Sequence, residues 1–202
     1  YSHSHGDHFG GVRGIINEAD VKAGKVAIIA PEHFLAETAS ENVMAGPAMS
    51  RRATFQFGTN LTPGPQGTMG SGIGRGIGGG DITLIPPTID IRKTGELREV
   101  DGVTLEFQMV PQSEAPAEMN VYMPASRTFL AAEIATCTLH NILTPRGAKV
   151  RDTLSWSGFL NEAVNLYGDR SDIIASSHCW PRFGQSEVKG WLSGQRDNYR
   201  YL

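Results

Sequence analysis

The sequence predicts an α/β fold that also contains antiparallel strands. Short apolar runs alternate with amphipathic helical segments, and one stretch has the pattern of a β-hairpin. The composition is that of an ordinary globular domain, with 202 residues, 40% hydrophobic residues and a formal net charge of −3. This length fits one domain, and a second is not required.

The N-terminal part is predicted to place one strand between two helices. Residues 9–16, FGGVRGII, begin a helix directly after a histidine-rich loop. The run KVAIIAP, residues 25–31, is short, apolar and ends in proline, as is typical of a buried strand. A second helix then starts near Pro31 and runs through residues 32–46.

A glycine-rich segment follows at residues 62–81. Residues 74–79 match the dinucleotide-binding pattern G-x-G-x-x-G, but the next stretch, DITLIPPTIDI, has the pattern of a strand rather than the required helix. We therefore predict a surface loop, and a loop that borders an active site stays open as an alternative.

The C-terminal half is predicted to contain four strands and one clear helix. The segment LREVDGVTLEFQMV forms a hairpin with its turn at Asp101-Gly102, and the runs RTFLAAE and DIIASSH are two further strands. The helix follows the i, i+3, i+4, i+7 rule and ends at the cap residue Gly168. Its apolar positions are Trp156, Phe159, Leu160, Ala163, Val164 and Tyr167.

Charge and hydropathy exclude some functions. The nearly neutral charge gives no electrostatic argument for nucleic-acid binding, and no apolar run reaches the roughly 18 residues needed for a membrane span. The two cysteines, Cys137 and Cys179, do not make a disulfide framework and leave the compartment undetermined.

The opening stretch YSHSHGDHFGG concentrates metal ligands. His3, His5, Asp7 and His8 form the pattern H-x-H-x-D-H, and imidazole nitrogens and carboxylate oxygens both suit Zn²⁺. In an extended loop His3 and His5 point to one side, whereas Asp7 and His8 turn elsewhere after a flexible glycine. The spacing thus predicts two pairs of ligands for two adjacent metal ions. The interleaved aspartate argues against an expression tag.

Two metals need ligands from elsewhere in the chain. His178 and Glu133 each end a predicted strand, and ligands offered from strand ends converge on one face of a sheet. Glu114 lies just past another strand, with Glu118 as a rival that spacing alone does not exclude. His33 falls inside a predicted helix, where a partly exposed histidine is expected.

At this point the motifs resemble a known family. HSHGDHFGG is similar to the signature of the metallo-β-lactamase superfamily. The segments SEAPAEMNVYMP, AAEIATCTLHNILTPRGAKVRD and SSHCWPRFG resemble its zinc-dependent (type III) alkyl sulfatases. The resemblance implies an αβ/βα sandwich, here expected to be incomplete at its N-terminus.

The resemblance implies a role for each ligand in a site with two zinc ions. His3, His5 and Glu114, rather than Glu118, would bind one zinc. Asp7, His8 and His178 would bind the second, and Glu133 would bridge both. Related glyoxalases and nucleases place a His and an Asp where this chain has Glu114 and Glu133.

The resemblance also implies a sulfate-binding residue. Arg146 would hold the sulfate group, although Pro145 precedes it where leucine is expected. His140 and Asn141 are expected to support the site rather than to bind metal. Cys179 is expected to be a buried thiol, and the alternative is a metal ligand, since some β-lactamases use a cysteine.

The implied reaction is hydrolysis of alkyl sulfate esters to an alcohol and inorganic sulfate, with Asp7, Glu133 and Arg146 assigned to catalysis. The alternatives are another hydrolase of the superfamily, namely a thioesterase, lactamase or phosphodiesterase, or an inactive zinc-binding fragment. In the family the matching region contributes to the pocket, so Phe34, Met44, Met49, Phe55 and Phe57 are candidates for an apolar groove that binds the alkyl chain, and the alternative is that most of them lie in the core.

The resemblance also predicts the domain organisation. Residues 1–202 are expected to form part of a catalytic domain, and residues 183–202 to start a helical dimerisation domain, since full-length relatives are expected to be homodimers. We expect the first sheet to have an open edge and the 202-residue piece to be unstable or inactive alone.

Overall fold

The computed structural model describes residues 1–71, 74 and 80–202. Its N-terminal region is mainly helical. Two short strands, β1 and β2, pair in parallel there. The elements are α1 (Gly6–Phe9), a 3₁₀ turn (Val12–Gly14), α2 (Glu18–Lys22), β1 (Ile29–Pro31), α3 (Phe34–Thr38), a π-helical turn (Ala39–Met44), α4 (Gly46–Phe57) and β2 (Ile89–Ile91).

The rest of the chain forms a six-stranded sheet in which each strand pairs with the next in sequence. All neighbours are antiparallel except β6 and β7, which are parallel. A parallel pair needs a long crossover, and helix α5 supplies it. The elements are β3 (Glu96–Val100), β4 (Val103–Met109), β5 (Met119–Met123), a 3₁₀ turn (Pro124–Ser126), β6 (Thr128–Leu130), α5 (Thr153–Tyr167), β7 (Ile173–Ala175), β8 (Arg182–Phe183) and α6 (Gln185–Tyr201).

The main core lies between this sheet and helices α5 and α6. Asp152 begins α5 as an N-cap, because its carboxylate accepts hydrogen bonds from the backbone N–H groups of Leu154 and Ser155. The Trp156 ring is fully buried and stacks on Tyr199 of α6, with ring centroids 4.0 Å apart. Its indole N–H donates to the carbonyl oxygen of Ile134 at 2.9 Å. The helix therefore fixes the segment that directly follows Glu133.

The predicted α/β class and several of its elements are confirmed. The hairpin turns at Asp101 and Gly102, which both have positive φ as a two-residue hairpin loop requires. The predicted helix corresponds to α5, and Gly168 is its C-cap. Within the described ranges no helix is long and apolar enough to cross a membrane.

The predicted boundaries of two strands and one helix were wrong. The strand predicted over residues 25–31 is limited to Ile29–Pro31, and only Ile89–Ile91 of DITLIPPTIDI is a strand, because its two prolines lack the N–H groups that a ladder needs. The helix predicted over residues 32–46 instead continues through a π-helical turn into α4. Most of the G-x-G-x-x-G match, residues 75–79, lies outside the described residues.

Candidate metal centre

Two of the predicted ligands lie beyond the carboxyl ends of neighbouring parallel strands. Glu133 follows β6 and His178 follows β7, each three residues after its strand ends. Because these strands are parallel neighbours, both side chains lie at the same edge of the sheet. Ala132 and His178 both have positive φ, at 39° and 60°, a conformation that often marks functional sites.

The opening segment lies against the start of β5. His3 forms an antiparallel bridge with Glu118, and the Ser4 N–H donates to the Ala117 carbonyl oxygen at 3.2 Å. The chain then enters α1, so Asp7 and His8 lie within this helix. The sequence had predicted that they lie on a loop before the helix, and that prediction was wrong. This early turn places Asp7 and His8 beside His178, while the His8 ring stays against the His3 ring, with centroids 4.0 Å apart.

The structure brings the seven predicted ligands into one cluster that contains two triads. In the first, His5 Nδ1 lies 2.8 Å and His3 Nε2 lies 3.6 Å from Glu114 Oε2. Within each triad the donor atoms lie within 4.8 Å of one another, a separation that a metal ion can bridge. The triads are His3, His5 and Glu114, and Asp7, His8 and His178, and two further groups overlap with them: His3, His8 and Glu133, and Glu114, Glu133 and His140.

The donor atoms of the second triad, Asp7, His8 and His178, also lie close to one another. Asp7 Oδ2 lies 3.3 Å from His8 Nε2 and 3.5 Å from His178 Nε2. The two histidine Nε2 atoms are 3.2 Å apart. Each imidazole therefore directs a nitrogen at the same small volume.

Glu133 lies between the triads. Its Oε2 is 3.3 Å from His3 Nε2 and 2.9 Å from His8 Nε2, and its Oε1 is 3.5 Å from His178 Nε2. One carboxylate thus contacts histidines of both groups, which is the arrangement that a bridging ligand requires.

The buried donor atoms fit a metal ion. His3 Nε2 and Glu114 Oε2 are buried, and neither makes a well-aligned hydrogen bond among the described residues, although His5 Nδ1 lies 2.8 Å from Glu114 Oε2. Such atoms cost free energy unless they are satisfied, and a cation between them would satisfy both. The donors are nitrogen and oxygen only, which suits Zn²⁺.

The acids of the cluster are ionised at neutral pH. Burial by itself would raise the pKa of Glu133, but the four histidines that surround its carboxylate lower it far below its usual range. Burial also opposes ionisation of Glu114, yet the pKa falls to about 2 because His5 and Arg151 lie beside it. The site therefore presents ionised carboxylate oxygens to an incoming cation.

Protons occupy part of the site when metal is absent. Burial lowers the pKa of His3. Burial acts in the same direction on His5 and His8, but adjacent carboxylates outweigh it and raise their pKa values to about 10 and about 9. Metal binding must displace these protons, since only neutral imidazole is a ligand.

The structure also shows that the carboxylates of Glu114 and Glu118 have different surroundings. The Glu118 carboxylate is fully buried and accepts hydrogen bonds from the backbone N–H groups of Glu114, Ala115 and Glu133 and from the Ser113 hydroxyl. Burial and the charge of Glu114 raise the pKa of Glu118 to about 8. The hydrogen bonds of Glu118 thus connect the segment that carries Glu114 to the segment that carries Glu133.

Sequence reasoning missed Arg151, which is 7% exposed. Its guanidinium donates to the Glu114 carboxylate, to the Glu114 carbonyl oxygen at 2.6 Å, and to both oxygens of Asn141 at 2.7 Å. His140 was expected only to support the site, and its Nε2 lies 3.2 Å from Glu133 Oε1 and 3.5 Å from Glu114 Oε1. Burial of these two side chains was the missing signal, and spacing does not reveal burial.

Arg146 lies farther from the triads than the ligands do. It is half-buried, and its Nη2 is 3.6 Å from Oε1 of Glu41, a residue that sequence analysis did not identify. Glu41 Oε2 is in turn 3.4 Å from His5 Nε2. From α4, Gln56 accepts the Arg146 backbone N–H and Arg52 donates to the Arg146 carbonyl oxygen, both at 2.9 Å. The arginine is therefore held near the first triad, with Glu41 between them.

The residues expected to form an apolar groove do not share one environment. Phe34 and Met49 are buried in the core, at 1% and 7% exposure, as the alternative predicted, and are not part of a groove. Met44 and Phe55 are exposed, and Phe57 is half-buried. The distinction depends on which face of α3 and α4 meets the core.

Two expectations about single residues were also wrong. His33 does not lie inside a helix, because it is the exposed N-cap residue of α3 with φ of 68°. Cys179 is half-buried rather than buried, and its Sγ accepts a hydrogen bond from the Cys137 backbone N–H. Burial and the neighbouring Cys137 thiol raise the pKa of Cys179 to about 11.

The fold and the cluster agree with a family comparison. The chain matches the description "Metallo-beta-lactamase superfamily" over residues 1–178. It belongs to this superfamily. Metal binding is implied by that membership and by the clustered side chains described above.

Several relatives are similar over the whole chain. It is 53% identical to a linear primary-alkylsulfatase and 46% identical to an (R)-specific secondary-alkylsulfatase, both from Pseudomonas sp.. A solved stereoselective inverting sec-alkylsulfatase from Pseudomonas sp. is 46% identical, with a TM-score of 0.95, over 100% of this chain and 32% of that one. The chain spans about 30% of the length of the curated relatives it matches.

Proposed function

We propose that this chain forms the metal site of an alkyl sulfatase, which uses two zinc ions to hydrolyse alkyl sulfate esters to an alcohol and inorganic sulfate. The observation that carries the proposal is the pair of three-residue groups with Glu133 between them. The alkylsulfatase relatives support the choice of substrate class.

The ligand count supports two metals. Each triad offers three donors, and Glu133, which contacts His3 of one triad and His8 and His178 of the other, would add a fourth to each. Nitrogen and oxygen donors in this number suit zinc. When bound, the two zinc ions supply Lewis acidity and a nucleophilic hydroxide at neutral pH.

The chain's own side chains orient the site. Arg151 and Asn141 hold Glu114, and His140 contacts both Glu114 and Glu133. Such contacts fix the direction of a ligand's donor atoms and preserve the geometry between turnovers. Asp7 and Glu133 stay ionised, so they balance the charge of the metal ions.

Arg146 is proposed to bind the sulfate group. A planar guanidinium can donate two parallel hydrogen bonds to a tetrahedral oxyanion. Its present partner is Glu41 at 3.6 Å, a long contact for an ion pair. An incoming sulfate ester would replace this contact and bring negative charge next to the guanidinium. The positive charge of Arg146 would then stabilise the departing sulfate.

The proposal is tested by measuring sulfate release from dodecyl sulfate. A β-lactam and a thioester are assayed separately as alternative substrates. The assay uses the zinc-loaded chain and a chimera in which this chain replaces the matching segment of the Pseudomonas primary-alkylsulfatase. We expect the chimera to release sulfate, and Arg146→Ala to lower its kcat/KM by about 100-fold. The exposed Arg51→Ala is the matched control and should be neutral.

The other outcomes identify the rival functions. Two bound zinc ions without hydrolysis of any ester would indicate a chain that only binds zinc. Turnover of the lactam or thioester without sulfate release would indicate another hydrolase of the superfamily.

The domain boundaries remain a proposal. Helix α6, within residues 183–202, buries Val188, Leu192 and Tyr199 in the core beside α5. Its C-terminal residues Tyr201 and Leu202 are exposed. We propose that this helix belongs to the catalytic core on one face and starts the helical dimerisation domain beyond it. Light scattering of the chimera and of this chain would show whether either forms a homodimer.

A further inference from the structure

The two cysteines meet beside the metal site, 42 residues apart in sequence. The Sγ of Cys179 accepts a hydrogen bond from the backbone N–H of Cys137. In the opposite direction, the Sγ of Cys137 lies 3.9 Å from the carbonyl oxygen of His178, the residue that precedes Cys179. Each thiol thus contacts the main chain that carries the other.

The side chains are also close to each other and open to solvent. Cys137 is exposed and Cys179 is half-buried, and both line one small surface pocket with Trp180 and Arg182. A small reagent can therefore reach Cys137 more readily than Cys179, and both thiols are open to the same pocket.

We propose that Cys137 and Cys179 are a modification site that closes to an intramolecular disulfide on reaction with a small-molecule disulfide such as oxidised glutathione. The thiolate of Cys137 attacks the reagent, which forms a mixed disulfide and releases one reduced thiol with the proton of Cys137. Cys179 then attacks the Cys137 sulfur, the S–S bond forms, and the second reduced thiol leaves with the proton of Cys179. The protein loses two hydrogens, and the reagent is reduced to two thiols.

The bond would connect two segments of the candidate metal centre. Cys137 lies between Glu133 and His140, and Cys179 follows His178 directly. The disulfide would therefore tie the segment after β6 to the segment after β7. Closing a loop of this length restricts the unfolded chain, so the oxidised protein should be more stable than the reduced protein.

Intact and peptide mass spectrometry after oxidation and thiol alkylation tests this site in the full chain. We expect the number of alkylated thiols to fall from two to none, and one crosslinked peptide pair to contain Cys137 and Cys179. We also expect the melting temperature to rise by about 10 °C on oxidation and to return on reduction.

Two near-isosteric variants, Cys137→Ser and Cys179→Ser, are the controls. Each keeps the fold, as circular dichroism would show. Each should end as a glutathione adduct of the remaining cysteine without a rise in melting temperature. Two separate glutathione adducts on the native chain, a crosslink between two chains, or two thiols still alkylated after oxidation would each overturn the proposal.

Discussion

Replacing Glu118 with alanine should destabilise the chain more than it changes the set of metal-contacting atoms. The Glu118 carboxylate accepts four hydrogen bonds, at 3.0 to 3.1 Å, from the backbone N–H groups of Glu114, Ala115 and Glu133 and from the Ser113 hydroxyl. Ser113 retains a second partner, the Val110 carbonyl oxygen. The substitution therefore leaves three buried N–H groups without an acceptor.

The cost follows from these three groups. An unsatisfied buried donor costs about 1–3 kcal/mol, and water that enters the space left by the side chain keeps the total near the lower end. We expect Glu118→Ala to lower the free energy of unfolding by about 4 kcal/mol, a large part of the 5–15 kcal/mol typical of a domain. Glu118→Gln keeps one acceptor oxygen and should cost about 2 kcal/mol.

Urea unfolding of the metal-free chain, followed by tryptophan fluorescence, measures this quantity. The matched control is Glu99→Ala, because Glu99 is exposed on β3 and should change stability by less than about 0.5 kcal/mol. The reasoning would be refuted if Glu118→Ala unfolded within about 1 kcal/mol of the native chain. Loss of a zinc ion without destabilisation would show that Glu118, rather than Glu114, is the ligand.

Three further predictions follow from single contacts. His178→Ala should remove one of two bound zinc ions in elemental analysis, whereas the exposed His33→Ala should bind as many as the native chain. Arg151→Ala should weaken zinc affinity by about 10–100-fold in competition with a chelator, because the variant frees the Glu114 carboxylate, and unchanged affinity would refute this positioning role. Gly10→Ala should lower stability by about 1–3 kcal/mol, since its Cβ would lie 2.6 Å from the Gly6 carbonyl oxygen, whereas Gly11→Ala has open space and should be nearly neutral.

The sequence predicts much of the ligand set because the rules it depends on are local. Alternation and short apolar runs identify β6 and β7, and parallel pairing then places Glu133 and His178 at one edge. The spacing in the opening stretch likewise predicts that His3 and His5 lie together and that Asp7 and His8 lie together, and each pair belongs to one triad. These predictions need only strand direction and short spacings.

The other site residues and the start of α1 depend on tertiary contacts, which the spacing of residues in the sequence does not reveal. Glu114 and Glu118 differ only in which buried groups surround them, so the sequence alone left both open. Arg151 lies at the site because the segment before α5 passes beside the loop that carries Glu114, with the residues 37 positions apart. The start of α1 was misplaced because Gly6 is a poor helix former, and tertiary packing overrides that preference.

X-ray absorption at the zinc edge of the zinc-loaded chain tests the central claim most directly. A site with two metals held by these seven side chains predicts two zinc ions per chain, a metal–metal distance of about 3.5–4 Å, and nitrogen and oxygen ligands at about 2.0–2.2 Å. A single zinc ion, or a sulfur ligand at about 2.3 Å from Cys179, would contradict it.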